Sequence, residues 1–422
     1  MSRDSDPARV LKYFHPPVPI DLRTERIFLL VGAAAFFAGY DINLFGLATK
    51  QIQASLHIPE NQLGPTLAYF RTAAVFAFLL AASADLVGRR RLLLFTIFGQ
   101  AAFTLLTAFA GNYWEFVAAQ FCNRFFGFAE EMLLFVVVAE EITAKARGWA
   151  NSTTIAFYFL GAGLAAAFFG AVNLLPYGWR ALYVIGSVPI FLVAFLRQRL
   201  PETKRFQTQG EAGLKTGAIL DLLKDIARQY PMRIVTVLIA AAAFGFAISA
   251  PTFLAQKYLQ ETYHYTPGQV SLVLIPGGIF GLGLTIAAGR LSDRIGRKPL
   301  AIASVAMAGI SFFLFFNHAP SWAAPILWIM GFFGFFAGDT FVAGFALEIV
   351  PTHYRATVGG LRYSIEIGAG AAALALEGLL YDRLGGHGPA IQWLLASIPI
   401  SMIAILFLPE PAGKTLEEMS GA

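Results

Sequence analysis

The sequence predicts an all-α membrane protein, with twelve transmembrane helices in two pseudo-symmetric six-helix bundles. Three observations predict it. Charged residues are only 14% of the 422 residues, the AVILMFWYC set is 57%, and mean hydropathy is +0.63; a soluble chain needs more charge to cover its surface. Apolar runs of about 20 residues recur from end to end, each long enough to cross a hydrocarbon layer roughly 30 Å thick. One charged phrase is also written twice, as "SADLVGRRRLL" at Ser83–Leu93 and "LSDRIGRKPL" at Leu291–Leu300, each behind such a run.

In chain order the spans are Arg26–Thr49, Leu63–Ala84, Leu92–Gly111, Trp114–Ile142, Ala150–Leu175 and Ala181–Leu200. After a polar stretch come Arg233–Gln256, Gly268–Gly289, Leu300–Asn317, Ala323–Val350, Val358–Tyr381 and Gly388–Leu408. The runs are continuous in Leu, Ala, Phe and Ile, which marks helices; barrel strands alternate over about ten residues. Residues 1–25 have mixed charge and no cleavable-signal character, and read as a cytoplasmic tail. Residues 26–206 are the first bundle, 207–232 a cytoplasmic linker, 233–410 the second bundle and 411–422 a second tail.

Charge orients the bundle. Most Lys and Arg fall in the 2–3, 4–5, 6–7, 8–9 and 10–11 connections, including Arg89, Arg90, Arg91, Arg197, Arg233, Arg297 and Lys298. The opposite connections hold Lys50, Arg180, Lys257 and Arg383. The positive-inside rule therefore puts both termini in the cytoplasm of a plasma, or bacterial inner, membrane. These loops account for the net charge of +5, so no nucleic-acid partner is implied. The single cysteine, Cys122, lies within span four and closes no intramolecular disulfide. The six His fall in no metal-ligating pattern, and no phosphate-binding loop is written. No metal or cofactor is expected, and no enzymatic constellation of nucleophile, base and oxyanion donors is found. Work against a gradient must draw on another gradient or on a partner subunit.

Asp85 and Asp293 are 208 residues apart (293 minus 85). The same displacement relates Gly88 to Gly296, Glu140 to Glu348, Arg147 to Arg355, and Leu200-Pro201-Glu202 to Leu408-Pro409-Glu410. Unrelated features at one displacement mean two homologous halves. Paired halves around a central site are the usual build of secondary transporters, because rocking one against the other alternates access.

The Asp-x-x-Gly-Arg-Arg and Asp-Arg-x-Gly-Arg-Lys phrases after spans two and eight resemble the signature loops of the major facilitator superfamily. "AEEITAKARG" (Ala139–Gly148), "EIVPTHYRATVGG" (Glu348–Gly360), "LPETKRF" (Leu200–Phe206) and "LPEPAGKTLEE" (Leu408–Glu418) resemble its branch of sugar porters, aromatic-acid/proton symporters and organic ion transporters. The resemblance covers nearly the whole chain. It departs at Ala81, where the family has a glycine; the second copy keeps Gly289. Helix approach in the first copy is thus expected to be looser.

In the loops, Asp85, Gly88, Arg89, Glu140 and Arg147, with their repeats Asp293, Gly296, Arg297, Glu348 and Arg355, are expected to form a conformational latch. A carboxylate at a helix end can bond neighbouring N-termini, and Arg89 and Arg297 can pair with Glu140 and Glu348. A plain topology signal is the alternative. Deeper charges are sharper clues, each costing roughly 2.5–3.5 kcal/mol at a helix centre on insertion scales. Asp41, Arg124 and Arg71 lie at similar depth, with Asp41 and Arg124 roughly 5–6 Å from the midplane on one side. Asp41 and Arg124 also resemble the proton-coupling pair of sugar porters. A carboxylate level with a cation is a proton-switch arrangement; a static ion pair is the alternative.

Glu131 and Asp339, again 208 apart (339 minus 131), with Glu130, Glu366 and Arg362, are expected to face a central cavity lined by Tyr40, Phe45, Tyr158 and Tyr363. Glu366 is alternatively an intramembrane partner for Arg362, four residues away on one face. Sugar porters carry a Gln-Gln-x-Ser-Gly stretch in span seven, replaced here by "AAAFGFAISAP" (Ala241–Pro251). The expected cavity is therefore poor in amides and relatively acidic. The function expected is secondary active transport of a small organic solute by a monomer, as proton symport. A proton-driven exchanger or exporter of organic cations, and a non-transporting receptor, are the alternatives.

Overall fold

The computed structural model describes residues 21–83, 87–198, 228–350 and 355–410. Six helices of the first half are α1 (Leu22–Leu56), α2 (Leu63–Ala82), α3 (Arg89–Ala108), α4 (Tyr113–Glu141), α5 (Ala144–Gly170) and α6 (Trp179–Arg197). The second half holds α7 (Pro231–Glu261), α8 (Pro267–Ile295), α9 (Arg297–Phe315), α10 (Ala324–Glu348), α11 (Arg355–Leu384), α12 (His387–Leu395) and α13 (Ile398–Phe407). The expected all-α, two-bundle membrane fold is what forms.

Helix starts follow local chemistry. Asp21 and Asn112 accept from the Thr24 and Glu115 amides and cap α1 and α4; Thr266 and Gln269 form a capping box on α8. Among the described residues, ten helices are long and apolar enough to span a membrane. α4 is long enough but too charged, because Arg124, Glu130 and Glu131 interrupt it. Outward-facing Phe78, Leu79, Val188 and Leu192 are each more than half exposed, which suits lipid contact rather than water.

The last span is not one continuous helix. Its halves α12 and α13 meet at Ala396–Ser397, just before Pro399, whose missing N–H cannot continue the ladder. The Ser397 hydroxyl donates to the Leu394 carbonyl at 2.9 Å and lies 3.1 Å from that of Ala243 on α7, which ties the break to the bundle.

Small residues set the closest helix approaches. A Cβ on Gly39 would sit 2.0 Å from the Tyr158 carbonyl oxygen, and one on Gly161 would sit 1.7 Å from that of Phe36. α1 and α5 therefore touch backbone to backbone, the arrangement that dispersion favours between helices in lipid. At Gly289, by contrast, a Cβ would meet nothing within 4 Å among the described residues. A sequence motif reports which residue is small, not what stands opposite it.

The two halves join at the end that carries Glu60. There α2 packs on α11, α5 on α8 and α1 on α7. Cβ atoms on Gly64 and Gly378 would strike the Leu374 and Asn61 carbonyl oxygens at 2.2 and 2.3 Å. Lys50 donates to the Gln260 carbonyl at 3.1 Å, and Asn61 to Asp382 at 2.8 Å. The protein is closed at this end.

The 208-residue repeat is also a repeat of geometry. Gly88 and Gly296 open α3 and α9 with φ of 100° and 108°, values that favour glycine. The Arg89 guanidinium donates to Glu140 at 3.0 Å, and Arg297 pairs with Glu348. Arg90 donates to the Gln198 carbonyl at 2.6 Å, and Lys298 to that of Leu406 at 2.9 Å. Glu410 accepts from the backbone amides of Arg297 and Lys298, so a carboxylate sits on the start of α9. Asp85, and the side chains of Arg147, Asp293 and Arg355, lie outside the described residues.

Candidate functional site

A cavity of 270 Å³ lies between the halves. The first half contributes Ile42 from α1, Leu67, Phe70 and Arg71 from α2, Arg124 and Phe128 from α4, and Tyr158 from α5. The second contributes Ser249, Thr252 and Phe253 from α7, Phe335 and Asp339 from α10, and Arg362, Tyr363 and Glu366 from α11. Five of the residues singled out beside the proton-coupling set therefore meet here: Asp339, Glu366, Arg362, Tyr158 and Tyr363.

The two cavity acids are committed to one cation. Arg362 donates to Asp339 Oδ1 at 2.8 and 2.9 Å, and its Nη2 lies 2.6 Å from Glu366 Oε2. The helical i, i+4 spacing of Arg362 and Glu366 produces the second contact. Three arginines thus face two carboxylates, so the cavity is not acidic as the count of intramembrane acids suggests. It is poor in amides as expected, since among the described residues no Asn or Gln lines it.

The structure moves several expected lining residues elsewhere. Tyr40 is buried and donates to the Leu182 carbonyl at 2.9 Å. Phe45 is fully buried against Phe70 and Phe116. Glu130 pairs with Arg197 and accepts from Thr96, while Arg197 also donates to the Leu30 carbonyl at 3.1 Å. That cluster ties α1, α3, α4 and α6 inside the first half. Arg197, read as a loop cation, is 1% exposed. Adjacent residues on a helix point about 100° apart, so Glu130 and Glu131 could not share a face. The Glu131 carboxylate makes no hydrogen bond or ion pair among the described residues, and it is not among the lining residues.

Asp41 is also buried beside, not in, the cavity. Its Oδ1 accepts from Thr104 at 3.1 Å and from Asn123 at 3.3 Å. Arg124 donates to the carbonyl of the next residue, Ile42, at 2.9 Å and closes no ion pair with Asp41 among the described residues. Similar depth placed the two side by side but could not tell a carboxylate from a carbonyl acceptor. Thr104 and Asn123 escaped sequence reasoning because neutral polar residues are common in apolar helices. Asn123 directly precedes Arg124, and that adjacency was the available signal.

A second charged group was missed at the Glu60 end. Lys257 Nζ lies 2.8 Å from Glu60 Oε2 and also pairs with Glu261. His387 joins Glu60 at 2.9 Å to Glu377 at 2.6 Å. Lys257, 1% exposed, belongs to the second half and Glu60 to the first. The group is an ionic clasp across the closed end.

Known proteins resemble this chain over most of its length. A family model for the Major Facilitator Superfamily matches residues 31–374. A Haemophilus influenzae protein named "Putative metabolite transport protein" is 29% identical over 92% of this chain and 97% of its own. A Cupriavidus pinatubonensis protein, "Probable 4-methylmuconolactone transporter", is 26% identical over 80% and 79%. The crystal structure of a D-xylose-proton symporter superposes with a TM-score of 0.73 at 18% identity, covering 93% of this chain and 99% of that one.

Proposed function

The chain belongs to the major facilitator superfamily, and from that premise we propose that it takes up a small organic solute together with a proton. It is an integral membrane transporter, not an enzyme. In this reading it works as a monomer in the bacterial inner membrane, both termini are cytoplasmic, the Glu60 end is the outer one, and the cavity is the solute site. Rocking of the halves exposes the cavity alternately to each side.

Asp41 carries the proton reading. It is a carboxylate within a membrane helix whose hydrogen-bond donors, Thr104 and Asn123, are both neutral. Neutral donors rather than an ion pair hold it among the described residues, so no salt bridge need be broken for it to take up a proton. Arg124, on the adjoining carbonyl, is close enough for rocking to change the field at Asp41. The likeness to the D-xylose-proton symporter is one of fold, and it supports only the alternating-access frame. Exchange of organic cations is less well supported, because Asp339 and Glu366 both contact Arg362.

Proteoliposomes loaded at pH 7.5 and placed at pH 6.0 test the reading. Asp41→Asn should abolish accumulation driven by the proton gradient yet keep solute exchange at equal pH. Accumulation by Asp41→Asn at the wild-type level would remove Asp41 from the coupling, and Glu131→Gln would then be the variant to examine.

A further inference from the structure

Resting on the reading of this cavity as the solute site, we infer that Arg71 anchors the charge of the solute, which is a small organic acid with a carboxylate on a compact apolar body. Depth alone sets Arg71 beside Asp41, but the structure points it the other way. The side chain leaves α2 and crosses to the second half. Its guanidinium carbon lies 5.5 Å from the centroid of the Phe253 ring on α7. The group also packs against Gly370 on α11, where an added Cβ would stand 2.0 Å from Nη1 and 2.2 Å from the Ser249 hydroxyl. Gly370 therefore makes the room that the guanidinium occupies.

Arg71 is unlike the other interior arginines. Arg124 has the Ile42 carbonyl, Arg197 has Glu130, and Arg362 has Asp339 and Glu366. Among the described residues Arg71 donates no hydrogen bond and closes no ion pair. A cation within a membrane span whose donors meet no acceptor is costly, and an arriving anion relieves that cost. The planar guanidinium fork matches a carboxylate with two parallel hydrogen bonds. Glu366 is near enough for its charge to act on Arg71, but it contacts Arg362 and among the described residues joins Arg71 by no hydrogen bond.

The remaining lining decides what else the solute carries. The hydroxyls of Ser249 and Thr252 already donate to backbone carbonyls. Those of Tyr158 and Tyr363 make no hydrogen bond among the described residues and remain able to donate. Phe70, Phe128 and Phe335 make the rest of the wall largely apolar. A cavity of 270 Å³, just under the usual range for small-molecule sites, leaves room for one ring or a short branched chain with its carboxylate. An anion there touches Arg71 from one half and α7 and α11 from the other, so binding bears on the seam that must move.

Purified protein in detergent, with no gradient, tests this with two isosteric pairs: benzoate against benzamide, and cyclohexanecarboxylate against cyclohexanecarboxamide. Wild type should bind at least one acid ten times or more tighter than its amide. Arg71→Gln should lose that preference with an unchanged unliganded melting temperature, and Arg71→Lys should keep part of it. Gly370→Ala leaves every charge in place but displaces the fork together with the neutral Ser249 hydroxyl, and should lose the preference too, whereas Ser249→Ala should keep it. Gly370→Ala also decides the matter if Arg71→Gln fails to fold. Absence of acid preference in wild type, or its survival in either Arg71→Gln or Gly370→Ala, would overturn the assignment. Failure of proton coupling would leave these measurements untouched, because no gradient enters them.

Discussion

Removing the charge of Glu130 isolates the buried pair that holds the first half together. Glu130 and Arg197 are 0% and 1% exposed, with one guanidinium nitrogen on the carboxylate and another 3.1 Å from the Leu30 carbonyl. In Glu130→Gln the shape survives, but Arg197 is left as a buried cation without its counter-charge. Breaking one partner of such a pair costs about 3–5 kcal/mol. Replacing both with apolar groups of similar volume is close to neutral, so Glu130→Leu with Arg197→Met should recover nearly all of the loss. Thr96 tolerates the double change, because its hydroxyl also lies 3.0 Å from the Leu92 carbonyl. Urea unfolding in detergent micelles, followed by tryptophan fluorescence across the double-mutant cycle, reads both quantities. A Glu130→Gln loss below about 0.5 kcal/mol, the level of an ordinary surface substitution, would refute the argument. So would a double variant no more stable than the single one.

At the Glu60 end, Lys257→Gln should release the clasp and raise the population open at that end. An ion pair with one half-exposed partner is worth about 0.2–1 kcal/mol, so spin-label distances between the halves should show a shift of about 1.5- to 5-fold in that ratio. Unchanged distance distributions would make the clasp a bystander. At the α1–α5 contact, Gly161→Ala should destabilise the first half by about 1–3 kcal/mol, the usual cost of overpacking, because its Cβ would fall 1.7 Å from the Phe36 oxygen. Gly163, two residues on, meets nothing within 4 Å, and Gly163→Ala should melt with wild type.

Sequence alone determined the class of the protein, because length, apolar runs and repeat displacement are properties of the chain itself. A membrane demands backbone bonds closed within each span, so hydropathy reads out helices directly, and the 208-residue displacement reads out the second half. The paired loops were legible for the same reason: Arg89 and Glu140 recur as Arg297 and Glu348, and both couples meet. Periodicity also gave Arg362 and Glu366, one helical turn apart. Partners drawn from different helices deep in the membrane, where no repeated phrase marked them, were not legible. Arg71, Arg124 and Asp41 share a depth, but depth is one coordinate, and helix rotation decides which acceptor each side chain meets. Rotation sent Arg124 to the Ile42 carbonyl, Arg71 across to Gly370 and Phe253, and Glu130 inward to Arg197. The clasp of Glu60, Lys257, Glu377 and His387 gathers four residues from two halves, the most distant 327 positions apart. Only packing of the halves brings them together, because no local pattern encodes which helix ends will meet.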